Sequence, residues 1–151
     1  MAIRLAIGNW IMSRYIPIDL RDRVRDHDQN RCCYCLTTEL NSGIRMVFDH
    51  IFPRSQGGKT AFDNICLACR SCNEFKSDTV LGADSISENL ESLFHPRSQI
   101  WSDHFEWNFL GTEVQGKTGV GRVTIVALRM NHDSIVSARR RWVAVGRHPP
   151  D

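Results

Sequence analysis

CCYCLTTELNSGIRMVFDHIFPRSQGGKTAFDNICLACRSCNEFK, residues 32–76, is the stretch on which the reading of this chain turns. It opens and closes on Cys-x-x-Cys pairs, Cys32/Cys35 and Cys69/Cys72. Each pair can supply two corners of a tetrahedral zinc site, and four thiolates close the shell and leave no open position. Such a site is structural, and it can hold together loops that lack enough apolar burial of their own. The insert between the pairs is 33 residues long, so the metal would tie two distant loops around it. That insert carries Asp49, His50 and Asn64, and Asn73 comes directly after Cys72. Asp49 is a hard oxygen donor and the two amides are weaker ones, which suits magnesium or manganese better than zinc. His50 has the intrinsic pKa of a general base near neutrality.

Beyond this stretch the chain is ordinary. Its 151 residues, 42% hydrophobic and 24% charged, bound a single soluble domain with a modest core. No apolar run reaches membrane-span length and the N-terminus lacks a clean signal-peptide core, so the expectation is a cytoplasmic protein without membrane attachment. Six cysteines in such a setting point to metal rather than disulfides, leaving Cys33 and Cys66 as packed free thiols. The formal charge is +2, spread as +3 over residues 1–76, −6 over 77–113 and +5 over 114–151. A polyanion can lie along the basic parts, and a solvated mixed surface explains the same counts.

The expected element order is α+β. Residues 1–17 read as an N-terminal extension, with Met12 an alternative start. A helix capped by Asp19 runs from Ile18 to about Asp28–Asn30, with Leu20, Val24 and His27 on its apolar side. A strand covers Ile44–Ile51 and ends before Pro53; Gly57-Gly58 is a turn. A short element spans Phe62–Leu67, and Asn73–Ser77 opens a helix. Residues 78–92 read as a polar loop. Strands are expected at His104–Phe109 and Glu113–Lys117, then helices at about 120–130, capped by Thr118, and 134–143, capped by Asp133. Trp101, Trp107 and Trp142 are expected core aromatics. The division is 18–80 as core and 81–151 as an α+β extension packed on it, one domain overall.

Taken together, Cys32-x-x-Cys35, Asp49-His50-Ile51-x-Pro53, Gly57-Gly58, Asn64-Ile65 and Cys69-x-x-Cys72-Asn73 with Lys76 resemble the HNH endonuclease superfamily, in its zinc-stabilised Cys-x-x-Cys branch. The resemblance implies a ββα-metal fold and metal-dependent hydrolysis of DNA phosphodiester bonds. It implies that His50 activates the water, that Asp49 binds the divalent ion, and that Asn64 orients the loop and the histidine. Asn73 stands where the family often has a final histidine, so the triad reads His-Asn-Asn and Asn73 becomes the second metal ligand. Products would carry 5′-phosphate and 3′-hydroxyl ends. Arg54, Arg70 and Lys76 are the candidate phosphate contacts, because cations supply most non-specific affinity. One site per chain needs two chains or two nicks to break both strands, so a homodimer is one expectation. The rivals are a non-catalytic zinc-ribbon module that binds nucleic acid, and a protein-interaction domain that binds none.

Overall fold

The computed structural model describes residues 15–151. The readings of residues 1–14, including Met12 as a start, lie outside them. The architecture is α+β: among the described residues, helices are interleaved with three separate two-stranded antiparallel sheets. In chain order the elements are α1 Ile18–Asp28, a single turn α2 Glu39–Ser42, β1 Val47–His50, β2 Ile65–Ala68, α3 Arg70–Lys76, β3 Leu81–Ala83, β4 Leu90–Ser92, a single turn α4 Trp101–His104, β5 Phe105–Trp107, β6 Val114–Gly116, α5 Gly119–Ala127 and α6 Asp133–Ala144.

The β1–β2–α3 unit is the ββα core expected from the central stretch. Its strands pair Val47 with Ala68 and His50 with Ile65. All four β2 residues are buried, which suits the run Ile65-Cys66-Leu67-Ala68. Between the strands the chain makes two short 3-10 turns, Arg54–Gln56 and Phe62–Asn64. Gly57 adopts φ +97°, and a Cβ on Gly58 would collide with the Phe52 carbonyl oxygen, so this reversal requires the Gly-Gly pair.

Helix α1 is anchored by its last residue. Asp28 is buried, and its carboxylate accepts two bonds from the Arg97 guanidinium (2.7 and 3.0 Å) and one from the Leu67 amide (2.9 Å). Arg97 also donates to the carbonyls of Ile65 (2.6 Å) and Phe62 (3.0 Å). One arginine from the second half thus joins α1 to β2. Burial pushes the Asp28 carboxyl up, but Arg97, His27 and the Leu67 amide outweigh it and hold it below the usual carboxylate range.

Several boundaries differ from expectation. β1 starts at Val47, not Ile44. Pro17 rather than Asp19 occupies the N-cap of α1, without a side-chain bond, and the imidazole of His132 rather than Asp133 caps α6. α3 begins at Arg70 because the Cys69 sulfur accepts from the Cys72 amide and so caps it. Thr118 caps α5 as expected. Residues 78–92 are not a plain loop: β3 and β4 form a hairpin whose tip is organised by Asp84. That carboxylate accepts from the amide and hydroxyl of Ser87 (3.1 and 2.8 Å) and from Arg122 of α5 (2.7 and 2.9 Å). Strands of three residues with a polar tip carry almost no periodic signal.

One hydrophobic core runs from Val24 through β2 to Leu93, Phe94, Phe105 and Met130. Trp101 packs in tilted contacts against Phe105 and Trp107 and donates its indole N–H to the Tyr34 carbonyl (2.8 Å). Cys66 is fully buried and Cys33 half-buried. Among the described residues no helix is long and apolar enough to cross a membrane.

Candidate metal centre and hydrolytic site

The two Cys-x-x-Cys pairs converge. The sulfurs of Cys32, Cys35, Cys69 and Cys72 all lie within 4.8 Å of one another. Cys35 and Cys69 sulfurs are 3.7 Å apart. A zinc ion about 2.3 Å from each of four thiolates gives sulfur–sulfur edges of about 3.8 Å, so the quartet fits that ion. Each pair is a knuckle: the Cys35 amide donates to the Cys32 sulfur (3.5 Å) and the Cys72 amide to the Cys69 sulfur (3.3 Å). Burial pushes the Cys32 thiol up, while hydrogen bonds from Cys32, Cys69 and Cys72 bring Cys35 well below its usual value.

The quartet positions the helix that comes after it. It fixes the start of α3, and Asn73 and Lys76 come next on that helix at spacing three, so they share a face. That face meets β1 at Asp49. Asp49 is 5% exposed; its Oδ2 accepts from the Tyr34 hydroxyl (2.7 Å) and lies 3.1 Å from Lys76 Nζ, whose bond to Oδ1 is 3.2 Å. Lys76 also donates to the His50 carbonyl (3.0 Å). Burial raises the Asp49 carboxyl above the usual range in spite of Lys76 and Tyr34.

His50 ends β1 and is half-buried. Its Nε2 lies 2.9 Å from the Thr60 hydroxyl, and Arg54 donates to that hydroxyl oxygen (3.1 Å). Burial, then Arg54 and Lys76, lowers the His50 pKa, leaving a neutral imidazole at neutral pH. Adjacent strand residues point to opposite faces, yet Asp49 and His50 both line one open depression of about 430 Å³, together with Arg54, Ser55 and Asn73. Phe48 lines it as well, and the strand ends at His50, ahead of Pro53.

Asn64 acts on the loop that follows His50. Its side chain accepts from the Phe52 amide (2.8 Å) and donates to the carbonyls of Phe52 (3.0 Å) and Lys59 (2.8 Å). Its own carbonyl accepts from the Ile51 amide (2.9 Å). It therefore spans both ends of the loop after His50.

Of the expected phosphate contacts, only Arg54 reaches the depression. Arg70 is exposed at the far end of α3, beside a separate groove with Ile135 and Trp142. Lys76 corrects the expectation: it is 1% exposed and its ammonium is spent on Asp49 and the His50 carbonyl, so no phosphate can reach it. Sequence reasoning missed Tyr34 and Thr60. Neither has a spacing signal, because their partners Asp49 and His50 are met only through the fold.

Asp49 and Asn73 both line the depression with Arg54, and a carboxylate and an amide are oxygen donors, the Asp49 oxygens already meeting Tyr34 and Lys76. Soft sulfur ligands at the start of α3, and oxygen donors from Asp49 of β1 and Asn73 of α3, suit different ions. Residues 32–85 match the family model described as HNH endonuclease, a segment that contains both the quartet and the depression. No curated protein and no solved structure matches the chain. The stretch of this chain that holds β1, β2, α3 and the four cysteines belongs to the HNH endonuclease family, in its Cys-x-x-Cys form.

Proposed function

We propose that this protein is a metal-dependent endonuclease that hydrolyses DNA phosphodiester bonds, with structural zinc on Cys32, Cys35, Cys69 and Cys72. The observation that carries the reading is that Asp49, His50, Arg54 and Asn73 line one open depression within the segment that matches the nuclease family. His50 is the general base. Its lowered pKa keeps the imidazole neutral and able to take a proton from water, and Thr60 fixes the ring. Asp49 and Asn73 would hold a magnesium or manganese ion, which when bound supplies positive charge against the phosphate and the leaving oxygen. Lys76 and Tyr34 hold the Asp49 carboxylate in place from behind. Arg54 lies at the rim, where its guanidinium can meet a phosphate. Asn64 sets the loop that carries His50 and Arg54. Residues 81–151 act with 18–80 as one unit, as the Arg97–Asp28 grip supports. Arg70 is assigned to more distant backbone contacts.

A second reading is a zinc-stabilised module that binds nucleic acid without cutting it. Its support is the Asp49–Lys76 pair, in which the carboxylate already has an internal cation. Nicking of supercoiled plasmid by zinc-loaded protein with added magnesium or manganese separates the two. Cleavage lost in His50→Ala supports the first reading, and DNA binding without cleavage by the wild type supports the second.

A further inference from the structure

Helix α6, outside the matched segment, carries a run of three arginines, Arg139 to Arg141. Arg140 and Arg141 are exposed, whereas Arg139 is 0% exposed. A fully buried guanidinium needs a counter-charge or a complete set of acceptors. Arg139 has neither among the described residues. Its Nη1 donates to the Thr112 carbonyl (3.1 Å) and the Asn131 amide oxygen (3.2 Å), both neutral, and its Cζ sits 5.1 Å from the centre of the Trp107 ring. Nε and Nη2 have no hydrogen-bond partner. Arg139 also lines a small, half-open space of about 20 Å³ together with Cys35, Cys69 and Cys72.

We infer that Arg139 is the buried counter-cation of the four-cysteine metal centre, through which the C-terminal helix stabilises metal bound by the core. Zinc held by four thiolates carries a formal charge of about −2. Largely buried, that charge is costly unless compensated, and the buried positive group lining the same space is Arg139, since Arg129, which also lines it, is exposed. The two otherwise unfavourable features offset each other. Groups around a metal's ligands tune its affinity by about 10–100-fold, and a cation beside a thiolate quartet acts in the direction of tighter binding. Arg139 is thus a positioning and charge-balancing residue.

The inference rests on the quartet holding zinc. The test is zinc competition between the whole protein and a chromophoric chelator, alongside thermal melting. Arg139→Gln is expected to weaken zinc affinity about 10–100-fold. Arg139→Lys keeps the charge and is expected to keep most of the affinity despite a lower melting temperature. Val136→Ala, one turn away on α6 and also buried, is expected to lower the melting temperature with zinc affinity unchanged. Wild-type affinity in Arg139→Gln, or a loss in Arg139→Lys as large as in Arg139→Gln, would overturn the role. If Arg139→Gln does not fold, Arg139→Lys decides: retained affinity supports the counter-charge, and a loss on melting-matched comparison with Val136→Ala overturns it. Absence of zinc from the wild type would instead remove the four-cysteine zinc reading itself, and this inference with it.

Discussion

The Lys76 ammonium lies 3.1 Å from the Asp49 carboxylate, and both side chains are buried. The pair ties the last turn of α3 to the end of β1, and the Tyr34 hydroxyl of the first knuckle donates to the same carboxylate. Removing one partner leaves a buried charge alone, which costs about 3–5 kcal/mol. Lys76→Met is therefore expected to lower stability by about 3 kcal/mol in denaturant unfolding and to reduce cleavage, with zinc content kept. A loss no larger than that of an exposed arginine such as Arg70→Ala would show that the pair contributes little.

His50→Ala is expected to lower the cleavage rate by about 10²–10⁴-fold, the usual contribution of a general base, while fold and zinc content stay as in the wild type. The pH profile gives a second check. Burial, Arg54 and Lys76 lower the His50 pKa, so the basic form persists below the ordinary histidine range. The acid limb of the rate should fall below pH ~6.5. An acid limb above that value would contradict the proposed base.

Asn64 makes three side-chain hydrogen bonds to the loop after His50. Asn64→Ala is expected to cost about 1–3 kcal/mol and to slow cleavage with zinc unaffected. Full activity in this variant, measured at a temperature where it is folded, would free the loop from that dependence.

The Asp28–Arg97 pair predicts a stability difference that depends on pH. The Asp28 pKa is depressed in the folded state, so its contribution is present above the unfolded value near 3.8 and is lost as pH falls through the lower folded value. The melting gap between wild type and Asp28→Asn should be widest above pH ~5 and close in acid. A gap independent of pH would mean that packing, not the charge pair, is the contribution of Asp28.

Much of this was legible before the fold was known, for identifiable reasons. The knuckles and the Gly-Gly turn are local, and their spacing states their geometry. β1, β2 and α3 came with them, and Thr118 capped its helix as its residue type suggests. The hidden features were partners far apart in the chain. Asp28 and Arg97 are one example, since a charge-rich helix reads as exposed until its last acid is found in the core. Lys76 is another: a lysine at the end of a helix reads as a phosphate contact, and only tertiary packing turns it inward onto Asp49. The β3–β4 hairpin was missed because an ion pair with Arg122, not hydrophobic alternation, holds its tip.

The scaffold has its own test. Cys69→Ser removes both a thiolate from the quartet and the sulfur that caps α3. It is expected to lose zinc and unfold the central region, because metal binding and folding are one process in such sites. Full zinc content with an unchanged melting transition would exclude the four-cysteine assignment.

Hydrolysis itself is tested by the conversion of supercoiled plasmid to nicked or linear DNA by pure zinc-loaded protein, with and without magnesium or manganese, beside His50→Ala. The expected result is cleavage that requires the added ion and disappears in the variant. Retained DNA binding with no cleavage by the wild type in either ion, or equal cleavage by the wild type and His50→Ala, would contradict the assignment of His50 and its neighbours as a hydrolytic site.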